Sequence, residues 1–266
     1  MNRIINSMQM ALIKKDIRAV TANKNLFMVL LIVPLVMTIV LPSILLLSIG
    51  LMPMDSSDLQ DLLSLLPGEL AGGDLREAAI RLMLNNIVPV FFLLIPIMAA
   101  TVVAASSFVG EKEKRTLETL LYCPLSLREI FSAKIMASFA LSQFVSLLSF
   151  AAMTFVVQAE LWFITGGLML PGLNWLVMML LVSPAVALVA ITLIVRGSAK
   201  AKTMEESQQR SVFLILPVIL LAVGQFTGLM AVSTWLLLGL GVLCAAVGIL
   251  LLRRSSASFH YEKLLS

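Results

Sequence analysis

Histidine and cysteine are almost missing from this chain: His260 is the single histidine, and Cys123 and Cys244 are the two cysteines among 266 residues. A zinc site or a disulfide framework needs more of these residues, in closer register. Cys123 lies in a charged stretch and Cys244 in an apolar one, so the two are not expected to pair. Charge is scarce as well. Only 13% of residues are Asp, Glu, Lys or Arg, against about 25% in a soluble domain. The G-x-x-x-x-G-K-[ST] phosphate loop is absent, and no polar region is long enough to hold a nucleotide-binding domain. If ATP powers this protein, a separate subunit must hydrolyse it. Nothing in the chain points to nucleic acid, to a resident cofactor or to a catalytic residue.

What is present in excess is apolar surface. Hydrophobic residues make up 60% of the chain and the mean hydropathy is +1.03. Six apolar runs, about 26–50, 86–109, 135–157, 173–195, 211–231 and 233–252, are each long enough to cross a ~30 Å hydrocarbon core as a helix. The last two are nearly fused, and only Ser233 and Thr234 mark the turn between them. The expectation is an all-α polytopic membrane protein, with residues 1–266 forming one membrane domain. The polar start, with Arg3, Lys14, Lys15 and Arg18, is too long for a signal peptide and is expected to be retained.

Basic residues orient the runs. Seventeen of the nineteen fall in the N-terminal stretch, between runs two and three, between runs four and five, or after run six; only Arg76 and Arg81 fall on the opposite side. The positive-inside rule then puts both termini in the cytoplasm of a plasma-membrane protein. Residues 51–85, with Asp55, Asp58, Asp61, Glu69, Asp74 and Glu77, become an external loop. Residues 1–25 are expected to form an interfacial helix along the cytoplasmic face, either bound to anionic membrane lipid or an ordinary juxtamembrane helix with no binding role. Arg3, Ser7, Lys14, Arg18 and Thr21 share one stripe of it; Ile4, Met8, Ala11 and Leu12 share a neighbouring one.

The most ordered charged stretch is 111–134. Leu117, Leu120 and Leu121 recur at i, i+3 and i+4, one face of a short helix. Pro124 ends that helix. Ser126 stands three residues before Glu129, the capping-box spacing that opens a second helix running through Lys134. Such a stretch cannot sit in hydrocarbon, and its leucines need a covering partner. A docking surface of Glu113, Arg115, Thr116, Leu117, Glu118, Leu120, Leu121, Tyr122, Pro124 and Arg128 follows.

Within the six runs, Asp, Glu, Lys, Arg and His are absent. Ion-driven carriers use such groups at mid-membrane, so that class is disfavoured. Ser138, Ser142, Ser146 and Ser149 form a stripe on run three, and Gly224, Gln225 and Gly228 a small polar patch on run five; helix packing or a substrate pathway would use either. Pro34, Pro42, Pro89, Pro96, Pro184 and Pro217 are expected to kink their helices. A non-transporting scaffold, sensor or immunity protein is the other alternative; it would not need an ATPase.

Two resemblances bear on function. Residues 205–210, E-E-S-Q-Q-R, resemble the first motif of CaaX-type intramembrane proteases, but that family needs histidines on further helices and this chain has none there. The stretch 111–134 resembles the membrane subunit of type-2 (type V) ABC exporters, including the sodium-export-like branch. Glu111, Glu113, Thr116, Leu117, Glu118, Leu120, Leu121, Pro124, Arg128, Glu129 and Lys134 occupy positions of that family's pattern, with Arg115 where glycine is usual. K-K-D-I-R before run one and T-M-E-E-S-Q before run five look similar too. The resemblance implies a permease that pairs with a second, identical or related permease. It also implies an ABC ATPase subunit that carries ATP and magnesium, and export by alternating access.

Overall fold

The computed structural model describes residues 7–51, 75–113, 116, 124–169, 171–198, 201, 203–210, 212–226 and 234–258. Among them all regular structure is helical, as a chain with no water to satisfy its backbone in hydrocarbon requires. The α-helices are α1 (Ser7–Ala22), α2 (Lys24–Leu51), α3 (Leu75–Leu82), α4 (Val88–Phe92), α5 (Leu94–Glu113), α6 (Leu127–Thr165), α7 (Leu173–Val177), α8 (Ser183–Ser198), α9 (Met204–Arg210), α10 (Val212–Phe226) and α11 (Thr234–Ser258). Two π-helical turns, Met83–Ile87 and Met178–Val182, join α3 to α4 and α7 to α8.

Among the described residues, five helices are long and apolar enough to cross a membrane: Lys24–Gly50, Arg76–Glu113, Leu127–Thr165, Leu173–Ser198 and Thr234–Arg254. This is a polytopic integral membrane protein. The fifth apolar run appears as the shorter apolar helix Ile215–Gly224, and residues 227–233 lie outside the described part. The central member is the second span, whose apolar window is 78% buried against 17% for the last span. It carries much of the main core, including Ile80, Met83, Val90, Phe92 and Ile97. The outward faces of α6, α10 and α11 present Phe155, Phe163, Leu220 and Trp235 as a hydrocarbon solvent demands.

Several helices outrun the apolar runs that announced them. The second span's helix begins at Leu75, inside the stretch assigned to an external loop, and Ala78, Ala79 and Ile80 are already buried there. Its exposed side carries the i,i+4 ion pair Arg81–Glu77 at 2.8 Å, and such charges cut a hydropathy window short without ending a helix. Residues 52–74 lie outside the described part. At 39 residues, α6 is about 58 Å long at 1.5 Å per residue, well beyond a ~30 Å core. Its ends must therefore stand at or beyond the membrane interfaces. Gly166 closes it in the left-handed region at φ 69°, donating its N–H to Trp162 O; glycine alone takes that conformation without strain.

The last span packs on the fourth through two glycines. A Cβ at Gly241 would lie 2.7 Å from Leu181 Cγ, and one at Gly248 would lie 3.4 Å from Leu188 Cβ. We expect Gly241→Val to overpack this contact and cost about 1–3 kcal/mol. Gly239→Val, where a Cβ meets nothing within 4 Å, should leave stability unchanged. Thermal unfolding of the two variants in one detergent checks this; equal midpoints would refute the close contact.

Candidate functional site

The charged stretch between the second and third spans is built from its two ends. At the first, α5 closes where Thr116 donates its backbone N–H to Glu111 O at 2.9 Å, with its hydroxyl on the same oxygen at 3.3 Å. At the second, Ser126 and Glu129 form the expected capping box. Glu129 N donates to Ser126 Oγ at 3.3 Å, while Ser126 N donates to Glu129 Oε2 at 2.9 Å. This local reciprocity fixes where α6 starts.

Two turns into α6 lies a buried lysine. Lys134 is 2% exposed. Its Nζ donates to Ser107 O at 2.7 Å, to Ser107 Oγ at 3.3 Å and to Asp16 Oδ2 at 3.4 Å. It also lies 2.8 Å from Glu111 Oε2, an ion-pair contact off hydrogen-bond geometry. The ammonium stands 5.6 Å from the Phe108 ring centroid, within cation–π range. Asp16, 6% exposed on α1, accepts from Ser107 Oγ at 2.8 Å, and Glu111 Oε1 takes Lys15 Nζ at 2.7 Å. Two cations and two carboxylates thus balance, and the knot ties α1, α5 and α6 together. Burial of this kind is tolerated because each charge has a partner.

Apolar packing locks the same three helices. Leu12 and Ile13 of α1 pack on Ile130, Ala133 and Ala137 of α6, and Phe108 stacks on Phe131 with centroids 5.5 Å apart. The buried stripe of α1 is Leu12, Ile13, Asp16 and Val20. Ile4, Met8, Ala11 and Leu12 were the expected apolar stripe. Met8 is instead 49% exposed and Ala11 is exposed, while Ile4 lies outside the described residues. The inward face is rotated because Asp16 has its partners inside. Nearby, α9 docks on the end of α5. Met204 N donates to Glu113 Oε2 at 3.3 Å, and Met204 Sδ lies 3.1 Å from where a Cβ on Gly110 would stand. A cavity of about 720 Å³ opens beside the knot, walled in part by Leu12, Asp16, Asn23, Ser107, Glu111 and Met204.

Of the residues singled out for docking, Glu113, Thr116, Pro124 and Arg128 are exposed. Arg115, Leu117, Glu118, Leu120, Leu121 and Tyr122 lie outside the described residues. The serine stripe points inward: Ser138, Ser142 and Ser146 are fully buried and Ser149 is nearly so. Ser142 and Ser146 bond back to Phe139 O and Ser142 O at 2.9 and 3.0 Å, the local satisfaction expected of packing serines. Ser138 Oγ has no partner among the described residues. Gly224 sits half-buried on α10; the Gln225 side chain and Gly228 are outside the described part. Asp16 and Ser107 were not singled out as site residues. A carboxylate standing in an apolar stripe, four residues after Leu12 and four before Val20, was the available signal for Asp16; Ser107 had none.

A family model described as ABC-2 type transporter matches residues 9–235. No curated protein and no solved structure matches the chain.

Proposed function

The chain belongs to the ABC-2 type transporter family and is the membrane permease component of an ABC transporter, and on that premise we propose that it is the exporter subunit of a complex powered by a separate ABC ATPase. ABC-2 permease domains generally partner with such an ATPase, which would carry the ATP and magnesium. In this reading the hairpin between the second and third spans is the docking and coupling element, and cargo moves outward by alternating access. The permease has six spans, the fifth being the apolar run 211–231 that contains α10, and both termini are cytoplasmic. It works beside a second permease copy, identical or related, within the sodium-export-like branch.

One observation carries this reading. Both ends of the hairpin are anchored, at Thr116 and at the Ser126–Glu129 box, and the buried Lys134 knot fastens the adjoining helix ends to each other and to α1. A force delivered at either of these ends is therefore passed on to α5 and α6 together. The long uncharged apolar runs argue against the ion-driven alternative. A scaffold has no use for helix ends tied together on both sides of a charged stretch.

Two cysteine experiments test the arrangement. A cysteine replacing exposed Arg128 should cross-link to a co-expressed ABC ATPase, whereas one replacing Phe163, 87% exposed on the apolar outer face of α6, should not. Separately, a cysteine at Asp61 should react with an impermeant thiol reagent added outside, and one at Lys202 should stay unlabelled in intact cells. The reverse labelling pattern would overturn the orientation and move the hairpin to the wrong side for an ATPase.

A further inference from the structure

The two π-helical turns share a sequence cause. In M-L-N-N-I-V-P (83–89) and M-M-L-L-V-S-P (178–184), a proline follows the five π residues after one intervening residue. Val88 N–H reaches back to Met83 O and Ser183 N–H to Met178 O, each five residues away. In the second span that choice has a consequence. Leu84 O has lost Val88 as a donor, and its next candidate, Pro89, has no N–H. Asn85 O loses its i+4 donor at the same proline.

Side chains of the fourth span supply the missing donors. Trp175 Nε1 donates to Leu84 O at 2.8 Å, and Asn174 Nδ2 donates to Asn85 O at 3.0 Å and to Asn86 Oδ1 at 3.2 Å. The pairing is tied in from two more directions. Gly172 N donates to Asn85 Oδ1 at 2.7 Å, and Thr234 Oγ1, at the start of the last span, donates to Asn174 Oδ1 at 2.6 Å. Trp175 is buried among Phe92 and Phe150, with ring centroids 5.5 and 5.2 Å away. Asn85 and Glu111 are 26 residues apart in the second span's helix, so the cluster lies about 40 Å from the charged knot at 1.5 Å per residue. It therefore sits at the opposite end of the bundle.

From this juxtaposition we infer that Asn174 and Trp175 are a latch that holds the second, fourth and last spans together at the end of the bundle away from the ATPase hairpin, and that releases when that end opens. The contacts suit such a role. Two of them end on backbone carbonyls left without donors by the π turn and Pro89 and the others on side-chain oxygens, so they can break without breaking a helix, and π turns are frequent at functional sites. Water entering an opened cleft could take over both carbonyls. The inference rests on the proposed alternating access and names the residues that would govern its outer side.

The test uses the full chain in cells, with Cys123 and Cys244 replaced by serine and a reporter cysteine at Val90, which is 1% exposed. An impermeant thiol reagent added outside should label this reporter slowly. In Asn174→Leu with Trp175→Phe, labelling should accelerate at least tenfold; in Asn174→Gln, which keeps a donor and an acceptor, it should stay close to the parent rate. A second reporter at Ala104, fully buried in the separate apolar cluster toward the hairpin, should remain protected throughout. An unchanged rate at Val90 in the inserted double variant overturns the latch. So does acceleration at both reporters, which means only that packing has loosened. If the double variant does not insert, the same two readings are made on Trp175→Phe alone, with a smaller acceleration expected. ATPase docking is scored separately by cross-linking, so failure of the transport reading and failure of the latch leave different signatures.

Discussion

Lys134→Ala is expected to destabilise the permease by about 3–5 kcal/mol, the cost of stripping one partner from a buried ion pair. That is two orders of magnitude or more in the ratio of folded to unfolded protein. The cost comes from what is left behind. Asp16, 6% exposed, would keep only the Ser107 hydroxyl among its described bonds, and Glu111 Oε2 would lose its 2.8 Å neighbour. The lysine also gives the Ser107 carbonyl its 2.7 Å donor and covers the Phe108 face. Replacing the whole knot should behave differently. Lys134→Met combined with Asp16→Leu and Glu111→Met removes the three inner charges together and leaves only Lys15, whose side chain is 54% exposed to solvent. Hydrophobic replacement of a whole buried ion cluster is often close to neutral. Unfolding midpoints in detergent for the parent, the single variant and the triple variant decide the matter. A single variant as stable as the parent would mean that the ammonium is not buried as described. A triple variant as damaged as the single would mean that packing, not charge pairing, holds the three helices.

The same residues show what was legible beforehand and what was not. Helices of the right kind and order could be read from the apolar runs, because in hydrocarbon length and composition leave little choice. The start of α6 could be read too. Its signal is local, Ser126 and Glu129 three residues apart, and the capping box forms as written. Lys134 looked like a charge at the water-side edge of a span. Its burial depends on Asp16, 118 residues away in sequence, and no local window contains that partner. The extension of the second span to Leu75 was hidden by Arg76, Glu77 and Arg81, which lower hydropathy while pairing along an exposed helix face. Prolines 89 and 184 were legible as disturbances. What they produce was not, because a proline fits a simple kink as well as a π turn, and the donor that satisfies the freed Leu84 carbonyl, Trp175, comes from another helix.

The hairpin leucines should decide coupling. Leu117→Ala with Leu121→Ala is expected to leave the permease inserted yet uncouple it from its ATPase. Both leucines fall on one predicted helical face with Leu120, rimmed by Glu113, Glu118 and Arg128. Anchors at the centre of an interface carry most of its energy. Burying one leucine side chain is worth roughly 1.5–3 kcal/mol, so losing two should weaken docking by about two orders of magnitude or more, at 1.4 kcal/mol per tenfold. Glu118→Lys should weaken it as well, by turning the rim charge against its partner. The anchored hairpin ends make the result interpretable. Thr116 and Ser126 hold the base through bonds that neither leucine makes, so the bundle should survive the change. The measurement is permease expression and thermal stability, read beside ATPase co-purification and cargo-stimulated ATP hydrolysis. Loss of the last two in a stable, well-expressed double variant is the expected outcome; retention of both would remove the hairpin from the coupling path.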